Sequence, residues 1–278
     1  MLLQDHQGKI INPSVLHFEK MDSMQRAKLT VLIPTYNEEE NIRDCLESVK
    51  WADEILIVDS YSNDRTLEIA RQYTDRIIQH EYINSATQKN WAIPQSKYEW
   101  VLIVDSDERV NEDLKNEIEK ALLQKPNDIN GYYIPRKNFF LGKEIKHCGW
   151  EFEHDLNLRL FRRNSGRYED KEVHADIIIN GKTGRIKSPF LHYSYRSIDQ
   201  YLKKLERYTN WGALDVARGD KKVGWHQFIL RPVGTFVKMF ILKRGFLDGI
   251  HGLILSLFSS YYVYIKYVKA WEIQRSKN

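Results

Sequence analysis

Two carboxylates separated by one residue follow a predicted strand. Asp105-Ser106-Asp107 comes directly after the apolar run Trp100–Val104, and Glu108 adds a third acid. Like charges at this spacing repel each other, so packing alone does not require them there. A divalent cation removes the repulsion, because Mg²⁺ and Mn²⁺ prefer carboxylate and phosphate oxygens. The motif predicts a site for Mg²⁺ or Mn²⁺, with an acidic turn that caps the next helix as the alternative.

Polar side chains follow two other predicted strands. Pro34-Thr35-Tyr36-Asn37-Glu38 comes after the first apolar run, Asp59-Ser60-Tyr61-Ser62 comes after the second, and Gln88-Lys89-Asn90 lies in the helical stretch before Trp100. These types supply a carboxylate for an imide N–H and acceptors for ribose hydroxyls. Because ligands bind at the carboxyl ends of parallel strands, this edge is a predicted nucleotide site.

The elements that position these residues are predicted from apolar spacing. Strands are predicted at residues 29–33, 54–58, 76–78, 100–104, 132–135, 156–162 and 173–179. Helices are predicted at 42–49, 66–73, 86–95 and 111–124, and from Ser197 onward. Strands that alternate with helices up to about residue 125 indicate a parallel sheet built from βαβ units.

Length and charge narrow the class of protein. At 278 residues, the chain is long enough for one large domain or one domain with an extension. Residues 181–278 hold 18 Lys and Arg against 6 Asp and Glu, whereas the remainder holds 24 basic and 32 acidic residues. The two cysteines, Cys45 and Cys148, are too few for a disulfide scaffold. The polar N-terminus lacks a secretory signal pattern, so we expect a cytoplasmic protein.

The C-terminal segment 226–271 is rich in apolar and aromatic residues and carries Lys238, Lys243 and Arg244 beside its apolar runs. An apolar body with a basic rim fits a helix that lies in the membrane interface. A buried helical pair is the alternative, and a true span at 250–268 is the least favoured. We expect Lys203-Lys204 and Lys221-Lys222 to form a solvated or lipid-facing surface, and we expect no nucleic-acid partner.

The order PTYNE, VDSYSNDRT, QKN and VDSDE resembles the nucleotide-sugar-binding half of the inverting family 2 glycosyltransferases. The later segments EHDLNLRLFRR at 153–163 and HYSY at 192–195 resemble one branch of that family, the lipopolysaccharide core β-1,4-glucosyltransferase-like proteins. The resemblance implies an α/β chain of the GT-A fold. That fold is a Rossmann-like nucleotide-binding mixed sheet flanked by helices, here with a C-terminal helical extension.

The resemblance also implies roles for single residues. Asp59 would pair with the base, Lys89 would lie near the base or the diphosphate, and Asp107 would hold the metal on the diphosphate. Asp105 would contact the ribose or the metal. The other residues implied at the nucleotide-sugar site are Pro34, Thr35, Tyr36, Glu38 and Ser106. His192 follows a strand-like run and is a weaker candidate for a metal contact.

A carboxylate is needed to take the proton of the acceptor hydroxyl. Asp155 is the first candidate, since it precedes a strand-like run and lies near Trp150, on which a sugar ring could stack. Asp170 and Glu172 are the alternates. In an inverting enzyme one base and one metal suffice, without a covalent intermediate. Arg159, Arg162 and Arg163 either bind the diphosphate or an anionic acceptor, or form the solvated side of a strand.

These observations predict a metal-dependent inverting glycosyltransferase. It would move a sugar from a nucleotide-sugar donor, most simply UDP-linked, to a glycan or glycolipid acceptor at the inner face of the cell membrane. The predicted organisation is an arm at 1–27, a GT-A domain at 28–196 with its acceptor side at 126–196, and a membrane-associating extension at 197–278. The alternatives are a degenerate membrane-associated scaffold and a nucleotidyltransferase. A scaffold is expected to lose the strand-end acids, and a nucleotidyltransferase needs a Gly-rich basic loop where PTYNEEEN stands.

Overall fold

The computed structural model describes residues 3–4, 10–11, 26–123, 129–153, 155–169, 175–219 and 222–276. The chain forms two compact units. The first comprises residues 1–106, 110–133 and 158–188, and the second comprises 107–109, 134–157 and 189–278. The predicted acceptor side, 126–196, contributes to both units. In the predicted arm, two short strands pair with each other in antiparallel fashion.

The described strands are β1 (Leu3–Gln4), β2 (Ile10–Ile11), β3 (Leu29–Thr35), β4 (Glu54–Asp59), β5 (Ile77–Gln79), β6 (Trp100–Ile103), β7 (Glu108–Arg109), β8 (Ile129–Phe140), β9 (Lys143–Glu144), β10 (Leu156–Arg162), β11 (Gly166–Tyr168), β12 (Ile177–Ile179), β13 (Lys182–Arg185) and β14 (Phe190–Tyr195). The described α-helices are α1 (Ile42–Val49), α2 (Thr66–Ala70), α3 (Ser85–Ala92), α4 (Glu112–Leu123), α5 (Ile198–Arg218), α6 (Trp225–Phe236) and α7 (Gly249–Ser276). Short 3₁₀ segments lie at Ile93–Gln95 and Gly245–Asp248, and a π-helical segment lies at Val237–Leu242.

The first unit contains a parallel sheet in the order β5-β4-β3-β6, and β10 joins β6 in antiparallel fashion. Nearly every side chain of β3 and β4 is buried. This is expected of parallel strands that are covered on both faces. In register, Thr35 lies opposite Asp59 and Leu32 lies opposite Ile103. The sheet therefore brings the carboxyl ends of β3, β4 and β6 to one edge.

The helices of the first unit bury the faces that their spacing predicts. On α1 the buried residues are Ile42, Cys45, Leu46 and Val49. Three predicted boundaries are wrong. The strand predicted at 173–179 is observed at Ile177–Ile179, and residues 173–174 lie outside the described residues. The helix at 66–73 ends at Ala70 and continues as turns, and the strand at 132–135 is the middle of a longer strand, β8.

In the second unit, β14 pairs in parallel with the later part of β8 and in antiparallel fashion with β7. Helices α5, α6 and α7 follow, and their apolar faces pack in clusters that include Phe140, Tyr201 and Leu255. No helix within the described ranges combines the length and the apolarity needed to cross a membrane. The predicted class is confirmed, since the fold is α/β, with a mixed sheet flanked by helices and a C-terminal helical extension.

Candidate functional site

Asp105 lies just beyond β6, and two cations of the first unit hold it. Lys89 Nζ on α3 lies 2.9 Å from one carboxylate oxygen, and Arg159 on β10 donates to the other at 2.9 Å. Both cationic side chains are almost fully buried. The structure therefore brings together two predicted site residues, Lys89 and Asp105. It also resolves one open alternative, because Arg159 is a buried partner of Asp105 and is not on a solvated strand face.

Burial and charge act in opposite directions on this cluster. Burial raises the pKa of Asp105, but the positive charges of Arg159 and Lys89 outweigh it and hold that pKa well below its usual range. Burial lowers the pKa of Lys89, and the Asp105 charge more than offsets this, so the pKa of Lys89 is raised. The Lys89 ammonium also lies 5.3 Å from the ring centroid of Tyr168. Asp105 is consequently a fixed anion at neutral pH.

Ser106 and Asp59 tie the strand ends of the first unit together. Ser106 is buried, and its hydroxyl donates to the Pro34 carbonyl at 2.9 Å. Asp59 is fully buried and accepts from the Ser62 backbone N–H at 3.0 Å and from the Gln79 side-chain amide at 2.9 Å. The Asp59 carboxylate therefore shapes the loop after β4 in addition to any contact that it makes with a ligand.

The loop after β3 presents an aromatic side chain at this edge. Tyr36 is 48% exposed, and the Glu38 backbone N–H donates to Thr66 Oγ1 at 2.8 Å. The Glu38 carboxylate accepts from Asn41 at 2.7 Å. Thr35 Oγ1 is buried and has no hydrogen-bond partner within the described ranges. A buried hydroxyl without a partner is costly, so this edge offers a polar atom that a ligand or water would satisfy.

Asp107 belongs to the second unit and has different neighbours. Lys204 Nζ on α5 lies 3.2 Å from one carboxylate oxygen, and His192 Nε2 on β14 lies 3.6 Å from the other. The Asp107 backbone carbonyl accepts from the Tyr193 N–H at 2.9 Å. The structure thus brings Asp107 and His192 together, and their role as metal contacts stays a prediction. The expectation that Lys204 lies on a solvated or lipid-facing surface is wrong, because its ammonium turns toward Asp107.

The tautomer of His192 follows from its neighbours. The Asn138 amide nitrogen donates to Asp155 at 3.1 Å, which leaves its carbonyl oxygen 2.7 Å from His192 Nδ1. Neutral His192 must then carry its proton on Nδ1 and donate it to Asn138. Nε2, which faces Asp107, is left with a lone pair, and this is the form of imidazole that binds a metal.

Asp155 is an acceptor for an arginine fork. Arg136 donates to its two carboxylate oxygens at 3.0 and 2.8 Å, and Asn157 donates at 2.9 Å. Burial raises the pKa of Asp155, but the hydrogen bond and charge of Arg136 outweigh it and lower that pKa. Asp155 is therefore ionised and firmly oriented at neutral pH. The alternates Asp170 and Glu172 lie outside the described residues.

The donor set suits a cation that takes most of its ligands from substrate and water. Among the residues that the structure describes, no three His, Cys, Asp or Glu side chains converge to hold a metal ion. Asp107 and His192 offer one carboxylate oxygen and one imidazole lone pair. Mg²⁺ is commonly bound by one or two carboxylates together with substrate phosphates and waters, so these residues fit such an ion without forming a cage.

Sequence reasoning missed three residues that organise the site. Asn138 connects His192 to Asp155, Arg136 holds Asp155, and Lys204 pairs with Asp107. Arg136 and Asn138 alternate along β8 with side chains of the opposite face, and this period-2 pattern is the one signal that could have marked them. Lys204 carries no local signal, since its partner lies 97 residues away in sequence.

Residues 30–178 match the sequence profile of the family described as glycosyl transferase family 2. The match covers more than half of the chain. The chain belongs to glycosyl transferase family 2. This membership confirms the resemblance found from the motifs, the enzyme class of glycosyltransferase and the GT-A type of fold.

Relatives of this family 2 glycosyltransferase extend over most of its length. It is 27% identical over 251 residues to the lipopolysaccharide core biosynthesis glycosyltransferase LpsC of Rhizobium meliloti, covering 88% of this chain and 92% of that protein. It is 26% identical over 265 residues to an uncharacterized glycosyltransferase of Rickettsia typhi, covering 90% and 89%. Among solved structures, Staphylococcus aureus TarS 1-349 in complex with UDP-GlcNAc has a TM-score of 0.45 and 16% identity, covering 90% of this chain and 91% of that one.

Proposed function

We propose that this glycosyltransferase is a metal-dependent, inverting enzyme. Its donor is a UDP-linked sugar, and its acceptor is a glycan or glycolipid of lipopolysaccharide or another cell-surface polysaccharide. The observation that carries the proposal is the contrast within Asp105-Ser106-Asp107. Asp105 is neutralised by two buried cations, whereas Asp107 lies 3.6 Å from the imidazole Nε2 of His192, a nitrogen that can bind a metal when it is unprotonated.

The residues of the first unit bind the nucleoside end of the donor. Thr35 and Tyr36 offer an unsatisfied hydroxyl and an exposed ring at the carboxyl edge of the sheet. Asp59 supplies a carboxylate for an imide N–H, which a uracil has. Lys89 and Arg159 hold Asp105 as a fixed acceptor for ribose hydroxyls. These groups support a nucleotide site on one strand edge.

Asp107 and His192 are the residues that would hold Mg²⁺ or Mn²⁺. When bound, such an ion supplies electrostatic stabilisation of the departing diphosphate. The chain's own contribution is to orient the ligands. Asn138 fixes the His192 tautomer, and Lys204 adds a positive charge beside Asp107 where phosphate oxygens are to be accommodated.

Asp155 remains the first candidate for the base that takes the acceptor proton. Its lowered pKa keeps it ionised, which is the form that accepts a proton, and Arg136 with Asn138 fixes its orientation. A base is most effective when its pKa lies near the working pH, so the Arg136 pairing also weakens it. Asp170 and Glu172 stay as the alternates.

The acceptor side of the proposal is supported by the relative LpsC, whose name assigns it to lipopolysaccharide core biosynthesis. We place the enzyme in the cytoplasm as a peripheral protein on the inner face of the cell membrane. The basic, apolar C-terminal helices are the part suited to that location. The retained acids Asp59, Asp105 and Asp107 disfavour a degenerate scaffold.

Calorimetric titration with UDP, GDP and ADP, each with and without Mn²⁺, tests the donor class. We expect UDP to bind more tightly than GDP or ADP, and to bind more tightly with Mn²⁺ than without it. Absence of nucleotide binding by a folded sample would favour the scaffold. UTP is titrated in the same series, and tighter binding of UTP than of UDP would favour the nucleotidyltransferase.

A further inference from the structure

The C-terminal helices expose an unusual number of large apolar side chains. At the turn between the segment that ends at Leu242 and helix α7, five of them are 49 to 71% exposed. This group, here called the apolar tip, consists of Ile241, Leu242, Phe246, Leu247 and Ile250. Scattered exposed apolar residues are ordinary, but a contiguous group of this size marks an interaction surface.

The exposure continues from the apolar tip along α6. Ile229, Val233, Val237 and Ile241 recur every four residues in one unbroken helical run, and all are exposed. Residues at this spacing share one helix face. In α6 the single buried residue is Pro232. The outer face of this helix is therefore apolar along its length, where a helix that faces water carries polar side chains.

The apolar tip is held rigidly by its own unit. Asp248 is buried, and its carboxylate accepts from the backbone N–H groups of Lys146 at 3.2 Å and His147 at 2.9 Å. Gly252 lies against Gly245, where an added Cβ would be 1.9 Å from the Gly245 carbonyl oxygen. The turn is thus anchored by buried contacts, and its exposed apolar side chains are presented by a fixed backbone.

The charges around this surface have one sign. Arg231, Lys238, Lys243 and Arg244 are all exposed, whereas Asp248, the one acid between residues 222 and 251, is buried. Two copies of this chain meeting through this face would bring like charges together, which disfavours self-association. An anionic bilayer complements both features, since its headgroups attract the cations and its acyl region takes the apolar side chains.

We propose that the apolar tip and the outer face of α6 insert into the interfacial layer of an anionic bilayer. The basic residues lie at headgroup level, where their long stems extend from the apolar face to the charged surface. This inference rests on the proposed function only for the purpose of membrane binding, which is to bring the enzyme to a lipid-linked acceptor. The binding itself requires neither donor nor metal.

Vesicle co-sedimentation of the full chain tests the proposal. The vesicles are phosphatidylcholine alone, or phosphatidylcholine with 30% phosphatidylglycerol, at low and at physiological salt. We expect binding to the anionic vesicles that weakens with salt, and little binding to the neutral ones. No binding to anionic vesicles at low salt would overturn the proposal.

Two double variants separate the apolar contribution from the charged one. Leu242→Glu/Leu247→Glu should weaken binding at least a hundredfold, since two apolar side chains no longer enter the bilayer. Lys238→Gln/Lys243→Gln should weaken binding to anionic vesicles about thirtyfold. The matched control is Leu202→Glu/Leu214→Glu on α5, where both leucines are 42% exposed, and it should bind like the wild type. If the control loses as much affinity as the apolar-tip variant, the surface is wrongly assigned.

Two further measurements distinguish a failure of the bilayer proposal from a failure of the proposed function. UDP titration in solution should be unchanged in the apolar-tip variant, so loss of vesicle binding with intact UDP binding supports this inference. Vesicle binding without any nucleotide binding would leave the inference standing and remove the proposed function. Light scattering of the protein without lipid tests the alternative that a second copy of this chain covers the surface. A wild-type dimer that becomes monomeric in the apolar-tip variant would assign the surface to a second copy and overturn the bilayer proposal.

Discussion

Asp105 and Asp107 differ in surroundings although a single residue separates them. Both oxygens of Asp105 are held by nearly buried cations, Lys89 and Arg159. Asp107 meets one partly exposed ammonium, from Lys204, and the Nε2 of His192 at 3.6 Å. The first carboxylate is part of the framework of its unit. The second lies beside an imidazole nitrogen, so we propose that it is the one that exchanges partners when a metal and a diphosphate bind.

We therefore expect the two acids of this motif to have different roles. If the Asp105 carboxylate moved to a metal, Lys89 and Arg159 would lose its negative charge while they stay buried, and an uncompensated buried charge is costly. Asp105 therefore has little freedom to move. Asp107 pairs with the half-buried ammonium of Lys204 and lies beside the His192 imidazole, and we propose that it is the acid that turns to a metal. Three experiments test this division of roles.

Replacing Asp105 should destabilise the fold. Asp105→Ala removes the carboxylate that the buried cations Lys89 and Arg159 share and should lower the free energy of unfolding by about 3 kcal/mol. Asp107→Ala is the matched control and should cost less, since Asp107 faces a half-buried ammonium where Asp105 faces two nearly buried cations. Urea denaturation followed by circular dichroism measures both. Equal losses of unfolding free energy in the two variants would contradict the proposal that Asp105 stabilises the fold more than Asp107 does.

Replacing Asn138 should weaken metal binding without touching the metal ligands. Asn138→Ala frees His192 Nδ1 from its acceptor and should raise the Mn²⁺ concentration needed for half-maximal UDP binding by about 10- to 100-fold. Ser194→Ala is the control, because its hydroxyl contacts the same nitrogen at 3.1 Å and Asn138 still fixes the tautomer. If both variants show the same Mn²⁺ dependence, Asn138 does not position His192.

The pH dependence of stability should show that Asp105 is an acid whose folded pKa is well below its ordinary value. A carboxyl whose folded pKa lies below its ordinary value, 3.8 for Asp105, stabilises the fold above that value. This contribution is lost as the pH falls through the folded pKa. The stability gap between wild type and Asp105→Asn should be constant above about pH 5 and narrow below about pH 4, by at most about 1.4 kcal/mol per pH unit. A gap that is independent of pH down to 3 would contradict the assignment.

The parallel half of the sheet could be predicted from the sequence because its order is local. The runs Leu29–Thr35, Glu54–Asp59 and Trp100–Ile103 are buried on both faces, so each appears as an apolar run that ends at a polar turn. That rule also located Asp59, Asp105 and Asp107 at strand ends. Helix α5 could be predicted only in part. Tyr201 and Leu205 lie on its buried face as their spacing predicts, but Tyr208 and Leu214, which the same apolar spacing would bury, are exposed.

The side-chain contacts that organise the candidate site join residues that are distant in sequence. Asn138 meets His192 across 54 residues, and Lys204 meets Asp107 across 97. Neither pairing leaves a trace in local spacing, since an Asn on a strand and a Lys on a helix are both compatible with a solvated surface. The apolar tip was visible in composition as an apolar segment with basic neighbours. The exposure of its side chains could be seen only in the structure, because periodicity alone does not distinguish a buried apolar helix face from an exposed one.

The proposal that Asp107 holds the metal is tested by the dissociation constant of UDP, measured by calorimetry with and without Mn²⁺ for the wild type and for Asp107→Asn. Asparagine keeps the shape of the side chain and removes the charge that a cation needs. We expect Mn²⁺ to tighten UDP binding at least tenfold in the wild type and to have almost no effect in Asp107→Asn. An Asp107→Asn variant that keeps the full Mn²⁺ effect would contradict the assignment of Asp107 as the metal ligand.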